Sequence, residues 1–323
     1  MLRVFVRSAS LLRPQFIMKR NLASMSGASA PALVSPDWLA DNMAKVKVID
    51  ASWYLPAMKR NAKQEFLDCR IPGAGFFDVD ATDDTSSLPH MLPSDAFFAK
   101  IMTDLGVSSD DHIVCYDGKG LFSSARAWWM LRAFGHSQAS VLDGGLPAWQ
   151  RADQKVESGE PAPPAAPTGA PFAATLDRTF VADLTRVRTV VDAFEAGGAA
   201  ALTDGPLVVD ARSTARFEGT VAEARPNCRS GHAPGSRSLP FDTLLTAEGT
   251  MKPKAEVVAA FAAAGIADVD APLIGSCGSG VTASVLALGL EHAGRKALME
   301  VYDGSWAEYG GDASQPLASG PPA

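Results

Sequence analysis

Cysteine is scarce in this chain. Cys69, Cys115, Cys228 and Cys277 are the only four in 323 residues. None shares CxxC spacing with another, which argues against a structural zinc site, and four scattered thiols do not make a disulfide framework. A reducing compartment fits such usage best. Long apolar runs are also missing, since none reaches the roughly 18 to 20 residues that span a bilayer. Nor is there an excess of positive charge: 29 Lys and Arg stand against 36 Asp and Glu, for a net −7. Nucleic acid and membrane are therefore not expected as partners. The most local absence is acidic. No Asp or Glu precedes Asp37, while Arg3, Arg7, Arg13, Lys19 and Arg20 are spread among Leu, Val, Phe, Ile and Ser. That composition suits a mitochondrial targeting segment over residues 1–30. The alternative is a disordered basic tail on a cytoplasmic protein. A secretory signal fits less well, because basic residues interrupt the apolar stretch.

What remains is globular in character, with 47% hydrophobic and 20% charged residues, and long enough for two domains. Pro36-Asp37-Trp38-Leu39 reads as a capped helix start and residues 45–50 as a strand ending in Asp50. Phe97, Phe98, Ile101, Met102 and Leu105 fall at helical spacing between Ser94 and Gly106. Residues 112–117 and 139–143 read as strands, with a Trp- and Leu-rich helix from Ser123 to Phe134 between them. Alternating strands and helices predict a parallel sheet covered by helices. Residues 157–172 turn to Pro, Ala and Gly and read as a linker, and residues 311–323 as a mobile tail.

The second half echoes the first. Val48-Ile49-Asp50-Ala51 recurs as Val208-Val209-Asp210-Ala211 (210 − 50 = 160), and Asp143-Gly144-Gly145 as Asp303-Gly304-Ser305 (303 − 143 = 160). Ile71-Pro72-Gly73-Ala74 recurs as Ala233-Pro234-Gly235-Ser236 (235 − 73 = 162). Matches at nearly one offset predict a duplicated domain, at 31–156 and 173–310.

One stretch carries chemistry. Pro272-Leu273-Ile274 feeds the turn Gly275-Ser276-Cys277-Gly278-Ser279-Gly280-Val281-Thr282, and an apolar helix pattern follows. Glycines let successive backbone N–H groups turn inward around one point, here the Cys277 sulfur. Together with a helix N-terminus, such a cradle should ionise the thiol below its usual value of about 8.5, and the thiolate is a nucleophile. The bland alternative is a buried structural cysteine, for which the glycines leave few side chains. Applying the offset to Cys277 lands on Asp117, so the first copy keeps the turn without a thiol (277 − 160 = 117). One site per chain is expected, in the second copy.

These blocks resemble the tandem-domain sulfurtransferases, the rhodanese and 3-mercaptopyruvate sulfurtransferase family, from about Pro36 to Tyr309. The resemblance rests on Asp50-Ala51-Ser52-Trp53-Tyr54-Leu55-Pro56, Leu142-Asp143-Gly144-Gly145, Gly231-His232-Ala233-Pro234-Gly235-Ser236 and Tyr302-Asp303-Gly304-Ser305-Trp306. It implies an α/β fold of two rhodanese-like domains, each a parallel sheet flanked by helices on both faces. It also implies catalysis by Cys277 without a metal or organic cofactor. The loop Cys277-Gly278-Ser279-Gly280-Val281-Thr282 is similar to the mercaptopyruvate branch, whereas thiosulfate-preferring members carry cations after the cysteine. Gly278, Gly280, Val281 and Thr282 would then border the donor, and Arg216 and Arg225 would hold its carboxylate. Arginine suits that task because its planar fork bonds both oxygens. Arg212 reads as structural.

The resemblance further implies a relay of Ser279 with His90 and Asp80 from the first domain, Asp78 being the competitor for the acid. Sulfur would pass from a small-molecule donor to Cys277, and then to thioredoxin, a small thiol or cyanide. One departure is Arg70-Ile71-Pro72-Gly73, where the family usually has His before Ile-Pro-Gly. Two other readings compete: a cysteine phosphatase and a non-catalytic persulfide carrier. A phosphatase loop needs an arginine six residues after the cysteine, and Ala283 stands there (277 + 6 = 283). A carrier would have little need of a carboxylate clamp.

Overall fold

The computed structural model describes residues 30–167, 169–203 and 205–322. The basic segment expected to direct import lies, up to residue 29, outside the described residues. The first half contains strands β1 (Leu33–Val34), β2 (Val46–Asp50), β3 (Gly75–Phe76), β4 (His112–Tyr116) and β5 (Ala139–Leu142). Its helices are α1 (Pro36–Asn42), α2 (Ala62–Asp68), α3 (Asp95–Asp104), α4 (Ser124–Ala133) and α5 (Gly145–Arg151). The second half follows with strands β6 (Val181–Ala182), β7 (Leu207–Asp210), β8 (Arg237–Ser238), β9 (Leu273–Ser276) and β10 (Glu300–Tyr302). Its helices are α6 (Leu184–Gly197), α7 (Thr214–Phe217), α8 (Lys254–Ala263), α9 (Ala283–Ala293) and α10 (Ser305–Tyr309). The sheets run β1-β5-β4-β2-β3 and β6-β10-β9-β7-β8, the same order twice, and their strand pairs are parallel.

Strand alternation sorts side chains onto two covered faces. Along β4, Ile113 and Cys115 join one core with Phe98 and Met102 of α3 and Trp128 of α4. Val114 and Tyr116 join another with Leu39 of α1, Phe66 of α2 and Trp149 of α5. In the second sheet Val209 packs toward α8 and α9, while Val208 and Ile274 pack toward Val187 and Val191 of α6. The helix starts follow local chemistry. Ser35 accepts the Trp38 N–H at 3.1 Å and Ser94 the Phe97 N–H at 3.3 Å, each filling a donor left open by the first turn.

The two halves share one core. Trp129, Leu131, Leu286 and Leu288 lie in the same buried cluster, and α4 packs on α9. Polar contacts cross the seam in mirrored pairs. Asp303 accepts the Leu92 N–H at 2.9 Å, and its counterpart Asp143 accepts the Met251 N–H at 2.8 Å.

The stretches expected to be a linker and a mobile tail are both fastened. Arg70 pairs with Glu157 through backbone and side chain, Nε to Oε1 at 2.9 Å, and donates from Nη1 to the Gly159 carbonyl at 2.6 Å. In the second copy His232 makes the same antiparallel bridge with Ala318. Arg229 adds bonds to the carbonyls of Gly310, Asp312 and Gln315. Linker and tail are thus equivalent straps (318 − 157 = 161), held by backbone pairing that composition does not reveal. The unusual Arg70 is the side chain that ties down the first of them.

Asp50 and Asp210 end equivalent strands but meet different partners. Arg212 chelates Asp210, whereas Ser52 stands at the matching place beside Asp50 (212 − 160 = 52). Burial therefore pushes the Asp50 carboxyl up to about 6, against opposing hydrogen bonds from Ser52 and Tyr116. A carboxyl whose folded pKa exceeds its unfolded value adds stability only below the unfolded value, and that stability is lost as pH rises towards 6. Asp50→Asn should flatten the decline of urea-unfolding free energy between about pH 4 and 6, by up to about 3 kcal/mol. An unchanged slope would assign the titration elsewhere.

Candidate active site

Cys277 leaves the carboxyl end of β9, where open α/β sheets place their sites, and is 2% exposed. The Ser279 N–H points to its sulfur at 3.5 Å. Two other loop donors do not, contrary to the expectation that successive N–H groups converge on the thiol. Those of Cys277 and Gly280 go to the Ser305 hydroxyl at 3.2 and 3.0 Å, and that hydroxyl donates to the Tyr302 carbonyl at 2.7 Å. The physical reason is a nearer acceptor, supplied by the start of α10. The same turn clamps the loop carbonyls: Trp306 N–H bonds Cys277 O and Ala307 N–H bonds Gly278 O, both at 3.0 Å. Ser305 holds φ 48°, a left-handed value that costs a non-glycine residue about 1 kcal/mol; its counterpart Gly145 has φ 54°. Val281 is buried beneath the loop, and Thr282 leads into α9.

Two guanidinium groups border the loop. A Cβ placed on Gly278 would lie 3.4 Å from Arg216 Nη2 and 3.4 Å from Arg225 Nη1. Arg225 Nη1 also donates to the Gly278 carbonyl at 3.4 Å. Arg216 is aimed by Glu223, whose buried carboxylate bonds Arg216 Nη2 at 2.5 Å and Arg212 Nη1 at 2.7 Å. Arg212 itself is fully buried, chelates Asp210 and lies 4.1 Å over the Trp306 ring, so its expected structural role has a visible basis.

From the first domain, His90 Nδ1 pairs with Asp80, and Asp78 instead accepts the Asp80 N–H at 3.0 Å. Trp53 holds both partners: its Nε1 donates to Asp80 at 3.1 Å and its ring meets the His90 ring edge-on at 4.5 Å. Burial opposes ionisation of Asp80, but His90, Trp53 and Arg225 outweigh it and keep the carboxyl below the usual range. His90 Nε2 is buried and takes no hydrogen bond among the described residues, so the expected link from His90 to Ser279 is not made. Ser279 is 4% exposed on the loop. Of the remaining cysteines, Cys228 lies 3.9 Å from the Trp306 carbonyl, and burial pushes the thiols of Cys115 and Cys228 up.

The first copy shows what the turn can hold. Asp117 is completely buried, and its carboxylate accepts the N–H groups of Lys119, Gly120, Phe122 and Ser124 at 2.9 to 3.0 Å. The Ser124 hydroxyl adds a bond at 2.7 Å. The turn is thus an anion cradle, filled from within in one copy and opened by a thiol in the other.

Comparison with known proteins gives this arrangement a family. The Rhodanese-like domain model matches residues 35–152. The chain is 43% identical over 288 residues to 3-mercaptopyruvate sulfurtransferase of Rattus norvegicus, covering 86% of this chain and 91% of that one. The chain belongs to the 3-mercaptopyruvate sulfurtransferase family. It is 39% identical over 312 residues to the mitochondrial thiosulfate/3-mercaptopyruvate sulfurtransferase 1 of Arabidopsis thaliana, covering 93% and 82%. The crystal structure of the 3-mercaptopyruvate sulfurtransferase SseA from Escherichia coli superposes with a TM-score of 0.72 at 39% identity, covering 86% of this chain and all of that one. This member of the family is accordingly a sulfur-transferring enzyme with two tandem rhodanese domains.

Ser305 and Glu223 were not singled out by the sequence reading. Ser305 had a signal, because it breaks the repeat at Gly145; Glu223 had none, since only the fold brings it between two arginines. In this sulfurtransferase, Ser305→Gly removes both the hydroxyl and the left-handed strain, whereas Ser305→Ala removes the hydroxyl alone. Both should lose about tenfold in sulfurtransferase rate, while urea unfolding should find the Ala variant less stable by about 1 kcal/mol. Equal stability of the two variants would dismiss the strain, and a Gly variant with full activity would dismiss the hydroxyl.

Proposed function

We propose that this enzyme takes sulfur from 3-mercaptopyruvate onto Cys277 and passes it to a thiol acceptor. The observation that carries the reading is the convergence of Arg216 and Arg225 on Gly278, one residue from the nucleophile, over a loop without a charged side chain. The Cys277 thiolate attacks the donor sulfur. An S–S bond forms, the C–S bond breaks, and its electron pair passes through the ketone to give the enolate of pyruvate, which then takes a proton. Arg216 and Arg225 hold the carboxylate in a two-point clamp and favour the developing charge. Ser279, whose N–H points to the Cys277 sulfur, handles a proton near the substrate in this scheme, with the Asp80–His90 pair of the first domain as its proton reservoir. A thiolate acceptor, thioredoxin or a small thiol, then attacks the outer sulfur and restores Cys277; cyanide can serve likewise. No metal or organic cofactor takes part in this scheme. The composition of residues 1–30 and the mitochondrial relative support import into mitochondria, with a cytoplasmic form as the alternative.

Thiosulfate is the second donor to weigh, because the Arabidopsis relative bears both donor names. The deciding measurement is kcat/KM for each donor with one acceptor. Mercaptopyruvate should be preferred by at least about 100-fold, with Cys277→Ser inactive. Arg216→Ala and Arg225→Ala should each raise the mercaptopyruvate KM about 10- to 100-fold, the loss of one charge-assisted pair. Preference for thiosulfate would remove the donor assignment, and turnover by Cys277→Ser would remove the nucleophile.

A further inference from the structure

The seam between the domains is nearly symmetric, and its sharpest exception is Arg126. By the repeat offset its counterpart is Leu286, a completely buried apolar side chain (286 − 126 = 160). The fold therefore needs no charge at this place, yet Arg126 is also completely buried and charged. Its Nη2 donates to the His90 carbonyl at 2.8 Å and to Asp303 across the seam at 2.5 Å. That single nitrogen joins the first-domain turn bearing His90, whose φ of 60° needs an external tie, to the strand end that precedes Ser305. Nε and Nη1 have no hydrogen-bond partner among the described residues. Nη1 faces the catalytic loop. A Cβ on Gly280 would stand 3.0 Å from it, so this position excludes a side chain for reasons of space as well as its φ of +78°. Unspent buried donors on a cation are costly, and a single carboxylate neutralises the group.

We infer that Arg126 is a positioning residue for the reaction, a first-domain cation that locks the His90 turn to the Cys277 loop and favours negative charge on that loop from behind. This rests on Cys277 as the nucleophile. Other charged groups around the loop are Arg216, Arg225, Glu223 and Asp303 from the second domain and Asp80 with His90 from the first. None of them combines complete burial, positive charge and direct apposition to Gly280.

The test reads Cys277 itself, by mass-spectrometric rates of iodoacetamide alkylation against pH, beside steady-state kinetics of the full chain. Arg126→Leu installs the residue of the other copy; Arg126→Gln is the second neutral variant should the first not fold; Arg126→Lys keeps the charge. Both neutral variants should raise the alkylation midpoint by about one pH unit and lower kcat at least about tenfold. The mercaptopyruvate KM should stay within about threefold, since Arg216 and Arg225 are untouched. Arg126→Lys should restore the midpoint but only part of kcat, lacking the fork that spans two partners. A folded neutral variant with an unshifted midpoint, or a change in KM alone, would overturn the inference. Should the wild type fail to use mercaptopyruvate, the alkylation midpoint still decides the role of Arg126 separately from the donor.

Discussion

Everything at the site depends on one constraint: the backbone N–H groups of a tight buried turn must find acceptors. Leaving such a donor unpaired costs about 1 to 3 kcal/mol, and this turn has several. The first copy meets the demand within the turn, through the carboxylate of Asp117. Replacing that carboxylate with a thiol removes two strong acceptor oxygens, and sulfur accepts weakly. The second copy must therefore recruit an acceptor from outside, and Ser305 is that acceptor. The exchange of Gly145 for Ser305 is thus coupled to the exchange of Asp117 for Cys277. A left-handed serine is tolerated because two loop donors would otherwise go unmet.

The same bargain explains how charge is handled. Three arginines gather beside Cys277, and a buried cluster of like charges would be unstable alone. Glu223 and Asp210 neutralise Arg212 and partly neutralise Arg216, leaving Arg225 with the weakest internal tie, a 3.4 Å bond to a carbonyl. The first copy preserves a fragment of this design. Arg60 reaches the Gly118 carbonyl at 3.1 Å and pairs with Glu65, yet Asp50 has lost its cation and Asp117 occupies the cradle. The first copy thus keeps scaffold bonds around a turn without a thiol, while its Trp53, Asp80 and His90 hold one another.

Much of this was legible in the residues. The duplication, the strand ends and the thiol in the turn between β9 and α9 all follow from short-range pattern and one offset, because repeats preserve spacing. Pairings that depend on how distant segments meet were not legible. Composition made residues 157–172 read as a linker and 311–323 as a mobile tail, whereas backbone bridges to Arg70 and His232 fasten them. The Asp80–His90 pair was open against Asp78 until the turn geometry showed Asp78 capping its own loop instead. Glycine patterns suggested a cradle around sulfur, but which donors reach it depends on a hydroxyl 28 residues away in sequence. Sequence reports the local conformation well; it reports poorly which acceptor wins among several.

On the proposed reaction, donor choice is a matter of distance rather than of charge alone. In thiosulfate the anionic oxygens sit on the atom bonded to the transferred sulfur. In 3-mercaptopyruvate two carbons separate the sulfur from the carboxylate. A cation on the residue after the cysteine suits the first donor. Here that residue is Gly278, and a Cβ there would lie 3.4 Å from Arg216 Nη2 and from Arg225 Nη1. A side chain at 278 would press on Arg216 and Arg225. The glycine therefore does two things at once. It lets Arg216 and Arg225, the clamp that the proposed reaction uses for the carboxylate of a three-carbon keto acid, stand against the loop, and its carbonyl accepts the N–H groups of Ala307 and Arg225.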